Sequence, residues 1–498
     1  MSDGATRRPL VQDVASPPSP EEACSRFLDL PYLLFLDSAS KGHDRGRFSF
    51  LTADPHMVVR SKGPVTSVRN RGSNVWRAAP GGALRTVEHV LSAFRAEKME
   101  GLPPFQGGAA GYLGYEYGGR LERLPPVPRD TLALPDMVFG IYDWVVAWDH
   151  STNQTWIIST GIPETGSRRE AAARDRLRIV EGRLSGPARD PVEPPRRRRR
   201  SPVPSFPVPD VPGAETIGLR SNFSRDGYCE AVGRVREYIL GGDIFQANLS
   251  QRFEVPQVHS PFTAYRRLQQ RNPAAFSAYF VTGEYAVLSA SPERFLCLDH
   301  AGRVQACPIK GTRPRGQSAA EDGELRSELL ASAKDRAENV MIADLLRNDL
   351  SRVCRPGTVR ASALLELESH PTVHHLVSTI VGELDPQFTA FHLVRATFPG
   401  GSITGAPKVR AMEIITELEP TARGVYCGSI GYLSLTGEMD LNIAIRTGVR
   451  VGDTFYFQAG GGIVADSEPE AEYQETLDKA RGLIDACRGA PASIEVEQ

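Results

Sequence analysis

The chain has 498 residues, 41% of them hydrophobic, so it can bury a large core; the length admits two or three domains or one oversized α/β unit. With 58 basic and 60 acidic residues the formal charge is −2, which excludes a whole-molecule field able to draw the protein to nucleic acid or to an anionic membrane. Seven scattered cysteines without a C-x-x-C pair, a Ser- and Pro-rich stretch at 1–20 with no apolar core, and no run of about 18 apolar residues argue against structural zinc, export and membrane spanning, and for a cytoplasmic protein.

Residues 32–40 and 47–51 read as two core strands separated by a polar loop. Gly107-Gly108-Ala109-Ala110-Gly111-Tyr112-Leu113-Gly114 has the glycines of a phosphate loop but no Gly-Lys-Ser/Thr, so close strand packing is expected there, with nucleotide binding as the alternative. The apolar, aromatic run 137–148 and residues 154–160 continue a β-rich N-terminal region, closed by a helix over 170–184. Residues 185–215 are proline-rich around Arg196-Arg197-Arg198-Arg199-Arg200. Five arginines in a row could contact nucleic acid, but without interleaved aromatics a solvated surface linker is expected. The resulting division is a disordered 1–20, an N-terminal region 21–184, the linker 185–215 and a catalytic region 216–490.

Beyond the linker, Ser224 is placed to cap a helix with Tyr228, Val232, Val235 and Ile239 on one face, stopped by Gly241-Gly242. A strand over 243–253, a helix over 262–270 and strands over 279–281, 285–289 and 295–298 follow. They lead through Ser291-Pro292-Glu293-Arg294 to Cys307-Pro308-Ile309-Lys310-Gly311-Thr312, which sets one lysine between an apolar pair and a glycine turn at a strand end. On spacing alone Lys310 is either a solvated ammonium or, if enclosed, a neutral amine able to attack a substrate carbon.

Further on, a helix over 334–350 places Asp335 and Glu338 at i, i+3, and a helix over 470–487 carries Glu472, Glu475 and Lys479 on one face. Such charges form a solvated face or, for Glu338 and Glu475, a sparse Mg²⁺ site completed by substrate oxygens and water. Phe398-Pro399-Gly400-Gly401-Ser402-Ile403-Thr404-Gly405 is a glycine-rich turn whose exposed amides and hydroxyls could hold a carboxylate. Gly460-Gly461-Gly462 ends a strand, either as a hairpin turn or where amides approach a ligand. Residues 442–447 alternate like a half-buried strand, which would aim Arg446 as a bidentate carboxylate clamp. Together these point to a small substrate bearing two carboxylates.

These stretches, with Asp243-Ile244-Phe245-Gln246, Lys334-Asp335-Arg336-Ala337-Glu338-Asn339 and His374-His375-Leu376-Val377-Ser378, closely resemble the chorismate-utilising enzyme family. The resemblance covers residues 221–487 strongly and 32–148 more weakly. It implies a β-rich, two-layered α/β fold with helices outside the sheets. Anthranilate-forming members carry a small residue at the position of Lys310, and isochorismate-forming members carry a water-activating lysine at that of Gln246. Lysine at the first site and glutamine at the second resemble the branch that aminates C4 of chorismate. Anthranilate formation and a non-catalytic binding subunit are the alternatives.

In that branch the resemblance gives Lys310 addition to C2 of chorismate as the C4 hydroxyl departs, after which ammonia attacks C4 and expels the lysine. Glu293 matches the family's acid/base glutamate and His375 a histidine that orients the ring. Mg²⁺ on Glu338 and Glu475, assisted by Asp335, would hold the ring carboxylate. Arg446 and Tyr426 would hold the enolpyruvyl carboxylate, with Ser402, Gly460, Gly461, Gly462 and Lys479 completing the pocket. Asp335 stands where many relatives have glutamate, and Ser402 where anthranilate-forming members have threonine. No glutaminase motif occurs, so ammonia is expected from solution or from a glutamine amidotransferase subunit in a heterodimer. Ser38, Phe48 and Ser49 resemble the place where relatives bind tryptophan; ordinary core strands are the other reading.

Overall fold

The run 137–148 is almost without polar side chains because it is buried on both faces, as two strands, Met137–Tyr142 and Trp144–Asp149. These strands lie in different sheets, the chain changing sheet at Asp143. That move recurs throughout the computed structural model, which describes residues 8–38, 46–127, 129–191, 203–256, 259–370 and 373–488.

Among the described residues, thirteen strands form one antiparallel sheet and twelve form another. The first takes Leu34–Asp37, Phe48–Thr52 and Gln154–Ser159 from the N-terminal region and Phe276–Val281, Tyr285–Ser291, Thr447–Val451, Thr454–Ile463 and Gln246–Pro256 from the C-terminal one. The second joins Met57–Lys62, Gly108–Leu113 and Met137–Tyr142 to Ser429–Ser434, Met439–Asn442, Arg294–Leu298 and Ile309–Pro314. The regions expected at 21–184 and 216–490 thus share both sheets. In the first, Leu36 pairs with Ala278; in the second, Tyr112 pairs with Ile430.

One core lies between the sheets and another beneath the helices. Across the first, the Phe50 and Tyr432 rings meet edge to face at 5.4 Å between centroids, and the Tyr112 and Tyr285 hydroxyls lie 2.6 Å apart. The expected α/β class, two β-rich layers with helices outside, is the one observed. Among the described residues no helix is long and apolar enough to cross a membrane.

Local signals hold where they rest on capping and periodicity. Ser224 Oγ accepts the Gly227 N–H and begins Arg225–Leu240, with Tyr228, Val232 and Val235 buried. The helices expected at 170–184, 262–270, 334–350 and 470–487 are Gly166–Leu184, Pro261–Arg271, Ala333–Ser351 and Pro469–Cys487. The disorder expected over 1–20 does not extend to Leu10–Asp13, a strand paired with Gln154–Ser159, nor to Ser19 and Pro20, which begin a helix. The linker reading also holds less far. Residues 203–215 carry a short strand, Phe206–Pro207, paired with Arg220–Ser221, and Val203 and Val208 are buried. Two apolar side chains spaced among the prolines suffice to fasten that end to the sheet. The five arginines at 196–200 fall outside the described residues.

The glycines at 107–114 serve strand packing, as expected. Gly111 has φ +154°, and a Cβ there would lie 2.0 Å from Val138 O on the neighbouring strand. Gly111→Ala is therefore expected to destabilise the protein by more than about 3 kcal/mol, because backbone rather than a flexible side chain must yield. Chemical denaturation against wild type measures it.

Candidate active site

Two sheet crossings lie side by side, and the expected site is built on them. Tyr285–Ser291 is in the first sheet and Arg294–Leu298 in the second, so Pro292 and Glu293 span the gap. Met439–Asn442 and Thr447–Val451 make the reverse change through residues 443–446. Ile443 N–H donates to Glu293 O at 3.0 Å, Ala290 N–H to Arg446 O at 3.1 Å, and Ser291 Oγ to Ile443 O at 2.5 Å. The continuous strand expected over 442–447 is therefore broken, since one stretch cannot pair in both sheets. Arg446 takes up the change of direction at φ +51°.

Lys310 sits in the strand Ile309–Pro314, in a bulge: Ile309 pairs with Val377 but Thr312 with His375, which leaves one extra residue between them. Gly311 adopts φ +87° there. Lys310 is half-buried and its Nζ donates to Ser402 O at 3.0 Å, while Ser402 Oγ donates to Glu293 Oε1 at 2.7 Å. Ser402 thus joins the amine to the acid. The two glycines before it let the turn come this close: a Cβ on Gly400 would lie 2.7 Å from Ile443 Cδ1, and one on Gly401 2.6 Å from Leu345 Cδ2. Exposed amides were expected in this turn; the structure packs it instead, and Thr404 Oγ1 donates back to Gly400 O at 2.9 Å.

Burial pushes the Glu293 carboxyl up to about 7, against the opposing pull of the Ser402 hydroxyl, the Lys310 charge and the Ile309 N–H. A carboxyl so poised exchanges protons readily near neutral pH. His375 is buried and pushed down to about 3 by desolvation, with the neighbouring His370 and Arg446 acting in the same sense. Its Nδ1 lies 2.9 Å from Thr312 Oγ1. A ring that stays neutral can orient a substrate but carries no proton charge to it.

Arg446 is desolvated, which lowers its pKa, against the opposing effect of Tyr426 and Glu475. Its Nη1 donates to Lys479 O. Gly460, Gly461 and Gly462 lie inside the strand Thr454–Ile463, paired with Ser250, Leu249 and Asn248, and form no hairpin turn. Lys479 Nζ donates to Gly460 O at 2.9 Å and pairs with Glu475 Oε1 at 2.5 Å. A Cβ on Gly461 would lie 2.9 Å from Glu472 Oε2 and 3.3 Å from Glu475 Oε1, so two carboxylates converge over a residue with no side chain.

Glu472, which the sequence left on a solvated face, is 3% exposed. Its Oε1 accepts from Ser467 Oγ at 2.6 Å, while Oε2 finds no hydrogen-bond partner among the described residues. Burial raises the pKa of Glu472 and of Glu338. Burial works the same way on Glu475, but the Lys479 ammonium, with Lys334 and Lys310, outweighs it and holds that carboxyl below its ordinary value. Asp335 is engaged elsewhere, 3.3 Å from Arg313 in an ion pair. Among the described residues no three His, Cys, Asp or Glu side chains converge closely enough to hold a metal by themselves. The orphaned Glu472 oxygen and the cradle over Gly461 nevertheless fit a hard cation that brings water or substrate oxygens with it.

Residues 34–485 match the family described as chorismate binding enzyme. The chain belongs to that family. It is 41% identical over 462 residues to aminodeoxychorismate synthase component 1 of Escherichia coli (strain K12), which covers 92% of this chain and 94% of the relative. It is 40% identical over 467 residues to anthranilate synthase component 1 of Thermus thermophilus, covering 93% and 94%. The crystal structure of anthranilate synthase component I from Streptococcus pneumoniae superposes with a TM-score of 0.73 at 32% identity, over 89% of this chain and 93% of that one. As a chorismate binding enzyme the protein acts on chorismate.

A separate cavity of about 410 Å³ lies between the sheets, lined by Leu36, Ser38, Phe48 and Met439 and by the charged pairs Arg47–Asp149 and Arg294–Asp440. Ser38 and Phe48 face it; Ser49 lies behind, donating to Asp37 Oδ1 at 2.7 Å.

The Glu293 carboxyl contributes stability that is fully present below its unfolded pKa of 4.5 and is lost as pH rises through about 7. Glu293→Gln keeps the neutral form at every pH. It should therefore be more stable than wild type at pH 8, on the order of 3 kcal/mol, and equal to it at pH 4. Thermal melts across that range test the sign.

Proposed function

We propose that the protein is an aminodeoxychorismate synthase component I, which converts chorismate and ammonia to 4-amino-4-deoxychorismate. The observation that carries this reading is the Lys310 amine, brought by its bulge to Ser402 O and so to the protonatable Glu293. In this mechanism the Lys310 ammonium first gives a proton to solvent, and the neutral Nζ then forms a bond to C2 of chorismate while the ring double bonds shift and the C4 hydroxyl leaves as water, with its proton from Glu293. Ammonia then bonds to C4, the double bonds shift back and the C2–Nζ bond breaks. Glu293 takes the proton that the incoming nitrogen sheds.

Arg446, with Tyr426 beside it, holds the enolpyruvyl carboxylate, and His375 presents a neutral ring to the substrate. Glu475, Glu338 and the orphaned Glu472 would hold Mg²⁺, with Asp335 at the periphery. When bound, the ion neutralises the ring carboxylate. A glutamine amidotransferase subunit supplies the ammonia in a cytoplasmic heterodimer, in keeping with the word component in the relatives' names. The cavity between the sheets suits tryptophan. Its apolar walls take the indole, and its aspartates and arginines match the amino acid's opposite charges.

Anthranilate formation is the competing reading, because relatives of that name are nearly as similar. Incubating the purified chain with chorismate, Mg²⁺ and ammonium separates the two by product: fluorescent anthranilate without an added lyase would overturn the proposal. Lys310→Ala should lose C4 amination by at least about a hundredfold or divert the enzyme to C2, and full retention would remove Lys310 as the nucleophile. Glu338→Gln and Glu475→Gln should each raise the Mg²⁺ concentration needed for half-maximal rate by about tenfold, since each removes a negative oxygen from a hard cation.

A further inference from the structure

Three glutamates and three lysines meet between the helices Ala333–Ser351 and Pro469–Cys487. Lys479 and Lys310 have backbone anchors, at Gly460 O and Ser402 O. Lys334 is held differently. Its Nζ lies 3.5 Å from Glu472 Oε1, and its side chain is 49% exposed. It also sits in the first turn of its helix, after the cap Ser332, where a cation opposes the helix dipole. Helix stability therefore gives no reason for a lysine there.

The partner of Lys334 is the glutamate whose second oxygen is buried and unsatisfied among the described residues. A buried carboxylate with half its acceptor capacity unused requires a positive charge nearby. Lys334 supplies that charge from the edge of the site without entering it. The field of the ammonium also reaches Glu338 and Glu475, the other two carboxylates of the cluster.

We propose that Lys334 is an exchangeable internal counter-ion: it neutralises the carboxylate cluster when no divalent cation is present, and a cation must displace it into solvent to bind. The inference rests on the Mg²⁺ reading given above. Its consequence is that Lys334 sets the affinity for the cation downward. The protein thereby avoids both an uncompensated buried carboxylate when the ion is absent and a site that retains the ion too tightly. The half-exposed side chain makes the exchange inexpensive, since the ammonium leaves one weak pair for water.

Isothermal calorimetry of Mg²⁺ alone binding to the full-length protein tests this without reference to turnover. Lys334→Gln should lower the dissociation constant at least about fivefold, because a like charge is removed from the neighbourhood of the ion. The gain should shrink at high salt. Lys334→Met, of similar length, provides the same measurement should the glutamine variant fail to fold. If Lys334 only braced two helices, its loss would lower the melting temperature and leave Mg²⁺ affinity unchanged or weaker; either affinity result would overturn the proposal. Failure of the metal reading looks different: neither wild type nor the variants would bind Mg²⁺, and Glu472→Gln would change nothing, which would remove both.

Discussion

The buried pair Arg423–Glu419 holds the site together. Both side chains are almost wholly enclosed, at 2.7 Å from one another. Such a pair is tolerable only when its remaining donors and acceptors are used. They are: Arg423 donates to Ile403 O at 2.9 Å and Asn248 O at 2.6 Å, and Glu419 accepts from the N–H and Oγ of Ser250, both at 2.8 Å. Ile403 follows Ser402 directly, so the turn that joins Lys310 to Glu293 is tied through one guanidinium to the strand Gln246–Pro256. The planar fork of arginine meets several fixed carbonyls at once, which a lysine's point charge would not.

Around that brace the electrostatics divide into two zones. Glu293 has no ion pair among the described residues, and desolvation pushes its carboxyl up to about 7, so neutral and ionised forms are comparably populated near neutral pH. Glu475, on the helix Pro469–Cys487, lies among the Lys479, Lys334 and Lys310 ammonium groups, which hold its carboxyl below the ordinary value. Two carboxylates of one chemical type are thereby given opposite shifts in proton affinity by their surroundings alone. The crossing at Pro292 and Glu293 brings one carboxyl into the interior, and the helix Pro469–Cys487 supplies the other.

Much of this was legible in the sequence wherever the signal was local. Ser224 as a cap, the helical spacing of Asp335 with Glu338 and of Glu472 with Glu475, and the lysine before a glycine at Lys310 each depend on a few adjacent residues. The sequence could not reveal where a strand leaves its sheet, since apolar alternation over 442–447 reads the same whether the partner changes or not. Glu472 was passed over for a related reason: on a helix face it looks like any solvated glutamate, and only the absence of a side chain at Gly461, on a strand, creates the space that buries it. Arg423 offered no periodic or motif signal at all. The order at one end of the linker is invisible in the sequence because two buried valines are too few to register against the prolines around them.

Because Leu36 pairs with Ala278 and Tyr112 with Ile430, both sheets contain strands from distant parts of the chain. A nascent chain emerging from the ribosome therefore carries several apolar strands with open edges until the last third has been made. Topology of this kind slows folding and lengthens exposure to aggregation. The protein must complete its synthesis before either layer can close, and a fragment cut near the middle would leave strands of both sheets without partners.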